Sequence, residues 1–130
     1  MEMHGQRSAP EKHRLRVDVR RAQSDAAVVA LHGEADLHTA PILRDGLEEA
    51  IETGRRVVVV DLTGVSFVDS MMLSVLLGAT RQTRERGMEV RIVVDDPNVR
   101  RIFELTLLDR VLELYPDLDL ALAGGKPSGE

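Results

Sequence analysis

Four consecutive valines, Val57-Val58-Val59-Val60, followed by Asp61-Leu62, constrain this chain more than any other stretch. β-branched side chains lose rotamer freedom in a helix and pack well on a pleated surface, so the run is a strand. It shows no apolar–polar alternation, so both of its faces are covered, as in a strand inside a mostly parallel sheet. A parallel neighbour needs a crossover, usually through a helix. The next residues predict one: a short loop, then a helix from near Ser70 to Gly87, with Asp69-Ser70 where loop becomes helix.

The rest of the chain continues the alternation. Residues 1–12 are polar, contain Gly5 and Pro10, and read as a flexible arm. Leu15-Arg16-Val17-Asp18-Val19-Arg20 has period two, a half-exposed edge strand. Gln23-Ser24-Asp25 is turn chemistry, and residues 27–31 are a more buried strand that closes an antiparallel hairpin. Gly33-Glu34-Ala35-Asp36-Leu37-His38 reads as a loop, Thr39 as an N-cap and Pro41 as part of a first helical turn. Leu43, Leu47, Ala50 and Ile51 share one face of that helix, Asp45, Glu48, Glu49 and Glu52 the other, and Gly54 stops it. Met88, Val90, Ile92 and Val94 alternate as a fourth strand. Asp96-Pro97 is a cap with proline at N1, opening a helix with Val99, Ile102 and Phe103 inward. Val111-Leu112-Glu113-Leu114 is a short last strand, residues 119–123 one more helical turn, and residues 124–130 a flexible tail. The order β-β-α-β-α-β-α-β predicts an α/β fold, a mixed, mostly parallel sheet of about five strands with about four helices packed on it. It forms one domain over residues 13–123.

Composition excludes several function classes. Without cysteine there is neither a disulfide framework nor a Cys-based metal site. No apolar run approaches a membrane span, and no N-terminal signal is visible, so a cytoplasmic protein is expected. With 17 Lys+Arg against 22 Asp+Glu and 2% aromatics, nucleic acid is not the expected partner. Lysine occurs only at positions 12 and 126, so a receiver-type phosphoaspartate at Asp61, Asp95 or Asp96 lacks its lysine. Asp36, His38 and Ser70 are the residue types of a hydrolytic triad. Yet Asp36 and His38 are too close in sequence for a relay, and no Gly-x-Ser-x-Gly surrounds Ser70. Gly124-Gly125-Lys126-Pro127 is not a phosphate-binding loop, and the histidines lack metal spacing. The expectation is a non-enzymatic protein with no cofactor and no metal.

That leaves Ser70. At a helix start its hydroxyl meets about four backbone N–H groups without intrahelical partners and about half a positive charge of helix dipole. A phosphate there is compatible with the fold and adds about −1.5 to −2 charge at a surface point. Asp69 and Asp36 make the local field more negative. The plainer reading is capping, worth about 1 kcal/mol. It lacks the reciprocal Glu or Gln of a capping box, since the positions three residues on are Met72 and Leu73. Asp36 has its own plain reading, an Asx turn within its loop, and His38 is expected to be exposed.

Phe67-Val68-Asp69-Ser70-Met71-Met72-Leu73, following the valine strand, resembles the STAS domain of anti-sigma factor antagonists. Their strand leads through Asp-Ser-(Ser/Thr)-Gly-Leu into a helix. Gly33-Glu34-Ala35-Asp36-Leu37-His38-Thr39-Ala40 is similar to that family's Gly-Glu-x-Asp-x-x-(Thr/Ser)-Ala loop, and Asn98-Val99-Arg100-Arg101-Ile102-Phe103-Glu104-Leu105-Thr106 to its third helix. The resemblance spans residues 15–114. It implies a STAS-type sheet and a serine phosphorylated by the cognate anti-sigma factor, itself a serine kinase; that serine is Ser70. It also implies a partner surface carrying Asp36, His38, Thr39, Asp69, Ser70, Met71, Met72 and Ser74. Binding the anti-sigma factor would free a sigma factor, and phosphorylation of Ser70 would end the binding.

Three positions depart from the family pattern: Met71 replaces the second Ser/Thr, Met72 the glycine, and Leu107 the glycine of Thr-Gly-Leu. Met72 fits an inner-face pattern with Val75, Leu76 and Ala79, which divides it between core and contact; an exposed Met71 is an adaptable contact. The methionines favour an alternative, a phosphorylation-independent STAS adaptor or scaffold in a signalling or lipid-transport complex. The edge strand allows pairing between copies, but its alternating arginines oppose it, so a monomer or weak homodimer is expected.

Overall fold

The computed structural model describes residues 15–23 and 25–124. The expected arm, Ser24 of the first turn, and the tail beyond Gly124 lie outside the described residues, as do Lys12 and Lys126.

Five strands form one sheet: β1 (Arg16–Ala22), β2 (Ala26–Ala35), β3 (Val57–Val68), β4 (Glu89–Val93) and β5 (Glu113–Tyr115). Four helices accompany them: α1 (Ala40–Glu52), α2 (Ser70–Glu85), α3 (Pro97–Leu105) and α4 (Leu118–Ala123), with a short 3-10 turn at Leu108–Arg110. Strand order in the sheet equals chain order. β1 and β2 are antiparallel, and every later pair is parallel. This is the mixed, mostly parallel sheet that the element order predicts.

Because each parallel crossover steps the same way across the sheet, right-handed connections put α1, α2 and α3 on one face. There Val58 and Val60 pack with Leu43 and Leu47 of α1, Leu76 of α2 and Phe103 of α3. Val57 and Val59 point to the other face and pack with Val93, Tyr115 and Ala121 of α4. The valine run is thus covered on both sides. Burial raises the Tyr115 phenol above its ordinary pKa, aided by the negative charge of Glu113.

Two boundaries differ from expectation, and both matter for the site. β3 does not end at Val60 but runs to Val68, and β2 continues through the expected loop to Ala35. The extensions pair with each other: His32 with Gly64, Gly33 with Val65, Glu34 with Phe67 and Ala35 with Val68, across two register shifts. Gly33 takes φ +116. Gly64 leaves no room for a Cβ, which would sit 2.5 Å from His32 Nδ1 and 2.7 Å from the Leu31 carbonyl. Gly, Thr and Asp give these segments local loop chemistry; inter-strand pairing overrides it. Since β4 pairs only with residues 57–61 of β3, the far halves of β2 and β3 project as a two-stranded ribbon. At the other end of the chain, β5 begins later than expected because the 3-10 turn takes up the preceding residues.

Candidate partner-binding site at the start of α2

The projecting ribbon delivers two segments side by side, the loop after β2 and the first turn of α2. The backbone N–H of Asp69 donates to the Ala35 carbonyl at 3.1 Å, closing the ribbon's end. Asp69 then takes an extended conformation and caps α2, its Oδ1 accepting from the Met72 N–H at 3.0 Å. Its other oxygen, Oδ2, accepts from the Leu37 N–H at 3.0 Å. One carboxylate therefore joins the loop to the helix start.

The loop is held from within. Asp36 Oδ1 accepts from the N–H groups of His38 (3.0 Å) and Thr39 (3.1 Å), the expected Asx turn. The Thr39 hydroxyl accepts from the Asp36 N–H at 2.9 Å and lies 3.1 Å from the Glu34 carbonyl, to which it can donate. Thr39 stands at the N-cap position of α1 but makes no side-chain cap bond. Its φ of −102° and ψ of −1° are not the extended backbone that turns a cap side chain over the first turn, and the hydroxyl serves the loop instead.

Of the eight residues expected at a partner surface, Asp36, His38, Asp69, Ser70, Met71 and Ser74 are at least partly exposed around this junction. Ser70 is the first residue of α2, and its side chain is exposed. Two expectations are corrected. Thr39 is buried inside the loop network. Met72 is 1% exposed and packs in the core cluster with Leu73 and Leu76, because the third helical position faces the sheet. Met71, one position earlier, is 41% exposed. Sequence reasoning also missed two residues. Leu37 is 56% exposed and Phe67 46% exposed, and with Met71 they supply large apolar side chains at the junction. The signal was available: Leu37 sits between polar loop residues with no periodic partner, and Phe67 falls out of phase with Val65 and Val68. Exposed large apolar groups at one place mark a binding surface more often than isolated ones do.

The arrangement presents a hydroxyl at the positive end of a helix dipole, with two carboxylates engaged by backbone N–H groups. Asp36 meets the backbone of His38 through the Asx turn, as a loop-holding group rather than a relay partner. Among the described residues no group of three or more His, Cys, Asp or Glu could hold a metal ion, and no helix is long and apolar enough to cross a membrane.

The STAS domain family matches residues 17–121. An anti-sigma-B factor antagonist of Listeria monocytogenes is 30% identical over 100 residues, covering 77% of this chain and 88% of that protein. The anti-sigma-F factor antagonist RsfB of Mycobacterium tuberculosis is 32% identical over 98 residues, covering 75% of this chain and 80% of its own length. The crystal structure of an anti-sigma factor antagonist from Mycobacterium paratuberculosis superposes with a TM-score of 0.76 at 32% identity, covering 90% of this chain and 97% of that one.

Proposed function

We propose that this protein, which belongs to the STAS domain family, is an anti-sigma factor antagonist. It binds an anti-sigma factor of the serine-kinase type and thereby frees a sigma factor. It acts by binding, not by catalysis. The observation that carries this reading is the Asp69 carboxylate, which ties the Leu37 loop to the helix that starts with an exposed Ser70. Similarity to proteins named as antagonists of anti-sigma factors supports the same reading. The contact surface comprises Asp36, His38, Asp69, Ser70, Met71 and Ser74, joined by Leu37 and Phe67. Phosphorylation of Ser70 ends the binding: it puts about −1.5 to −2 charge into the middle of that surface, while the helix N-terminus keeps the phosphate compatible with the fold.

The test is to incubate the protein with its cognate anti-sigma factor and ATP and to map the phosphate. Ser70→Asp should weaken the complex at least tenfold and Ser70→Ala should leave it intact. Equal affinity of the two variants, or phosphate retained in Ser70→Ala, counts against the switch. One observation favours the second reading, a phosphorylation-independent adaptor: the bulk of Met71 stands on the surface beside Ser70. A stable complex with no phosphate transfer would select it.

A further inference from the structure

A groove of about 360 Å³ runs between α1 and α2, starting at Met71 and Ser74 beside the Ser70 corner. Its apolar lining comes from Leu47, Ile51 and Val75. A second, more polar hollow shares Glu48, Ile51 and Gln82 with it and adds Glu52 and Arg86, so the channel continues toward the far end of both helices.

Gly78 lies midway along this groove and midway along α2. Glycine inside a helix destabilises it relative to alanine. Nothing in the fold calls for it here. A Cβ added at Gly78 would meet no atom within 4 Å, and Gly78 is not among the glycines with positive φ. The remaining reason for glycine is a close approach from outside, by the backbone of whatever enters the groove. The α1 wall adds a charge preference, with Glu48 and Glu52 facing the channel.

We propose that this groove receives an amphipathic helix of the anti-sigma factor, with a small side chain over Gly78 and a basic side chain toward Glu48 and Glu52. A helix laid in a groove is anchored by residues three and four apart, and the channel follows α2 away from the serine. This inference rests on the antagonist reading and extends its contact surface beyond the Ser70 corner. Affinity then comes from both regions, and phosphorylation acts on one end of a longer interface.

The test uses the full chain and its purified cognate anti-sigma factor. Gly78→Ala should raise the thermal midpoint by about 4 °C, since alanine relieves the helix penalty. Gly78→Leu should stay folded and bind at least tenfold more weakly. Glu48→Lys combined with Glu52→Lys should also weaken binding, with a larger loss at low salt than at high salt. If wild type binds and Gly78→Leu binds equally well, the groove is not the docking site, although the antagonist reading stands. If wild type does not bind, the antagonist reading falls and the assigned occupant falls with it. Sedimentation of the chain alone covers the remaining case: a dimer that Gly78→Leu dissociates would give the groove to a second copy and overturn the proposal.

Discussion

α2 and α3 start alike and are put to different use. Each follows a parallel strand, and each opens with an aspartate cap: Asp69-Ser70-Met71-Met72 in α2 and Asp96-Pro97-Asn98-Val99 in α3. In both, the third helical residue is buried, Met72 in one and Val99 in the other. The differences lie at the first position and at the carboxylate. α3 begins with a proline, which has no N–H to leave unpaired and a φ already suited to a helix. Asp96 is assigned a cap bond within its own helix, from the Asn98 N–H at 2.8 Å. α2 begins with an exposed hydroxyl, and Asp69 also reaches across to Leu37 in another loop. The same capping chemistry ends a strand neatly in α3 and assembles a composite surface in α2. An aspartate at a helix start is therefore not evidence of a site; an aspartate that also holds a distant segment is.

The strongest way to break this comparison is to test the shared inward position. Met72→Ala should cost about 2–5 kcal/mol, the range for truncating a buried methionine, whereas exposed Met71→Ala should stay within about 0.5 kcal/mol. Urea unfolding measures both. A small loss for Met72→Ala would mean that this methionine is not core, and the corrected partner surface would have to take it back. Next comes the carboxylate. Asp69→Ala should cost about 2 kcal/mol, a cap plus a charged hydrogen bond to Leu37, against about 1 kcal/mol for Asp96→Ala, which loses a cap. Equal losses would mean that the bond across to Leu37 contributes nothing to stability.

What could be read from the sequence follows the same division. Features set by neighbours in the chain were legible: the buried valine strand, the Asp96-Pro97 start, and the stops at Gly54 and Gly87, both of which take positive φ. The resemblance motifs located Ser70 correctly at a helix start. Features set across the chain were not legible. The far halves of β2 and β3 carry loop-forming residues and become strands because they pair with each other. The bond from Leu37 to Asp69 spans 32 positions and uses a backbone N–H, which every non-proline residue possesses. Thr39 has a good capping side chain but spends it on the loop. Periodicity admitted either direction for Met72, and packing against the sheet decided it.

The two helices also differ at their ends, with the roles reversed. After its C-cap, α2 has Gly87 at φ +81, the residue that this left-handed conformation favours. The equivalent position of α3 is Leu107 at φ +62, with its side chain 56% exposed. A left-handed leucine costs about 1–2 kcal/mol, and an exposed one recovers little of that by packing. Leu107→Gly, which makes the end of α3 resemble that of α2, should therefore stabilise the protein by about 0.5–1 kcal/mol after the glycine entropy cost. A destabilised variant would show that the Leu107 side chain is held by packing that its exposure conceals.

The smallest expected change in stability comes from the reverse exchange at the starts. Ser70→Pro gives α2 the first residue of α3. The first helical N–H has no intrahelical partner, so proline removes no helix bond there. Asp69 already has φ −106° and ψ 177°, the extended backbone that a residue before proline requires. Stability should change by less than about 0.5 kcal/mol. The variant keeps the Asp69 tie, the Leu37 loop and the exposed Met71, and it removes only the hydroxyl. On the proposed function it should still bind the anti-sigma factor and accept no phosphate, even with excess kinase and ATP. A folded Ser70→Pro protein that accepts phosphate at the wild-type rate would move the switch to another residue. A folded variant that no longer binds would show that the serine hydroxyl is itself a contact, and that the start of α2 differs from that of α3 in more than its capacity to be modified.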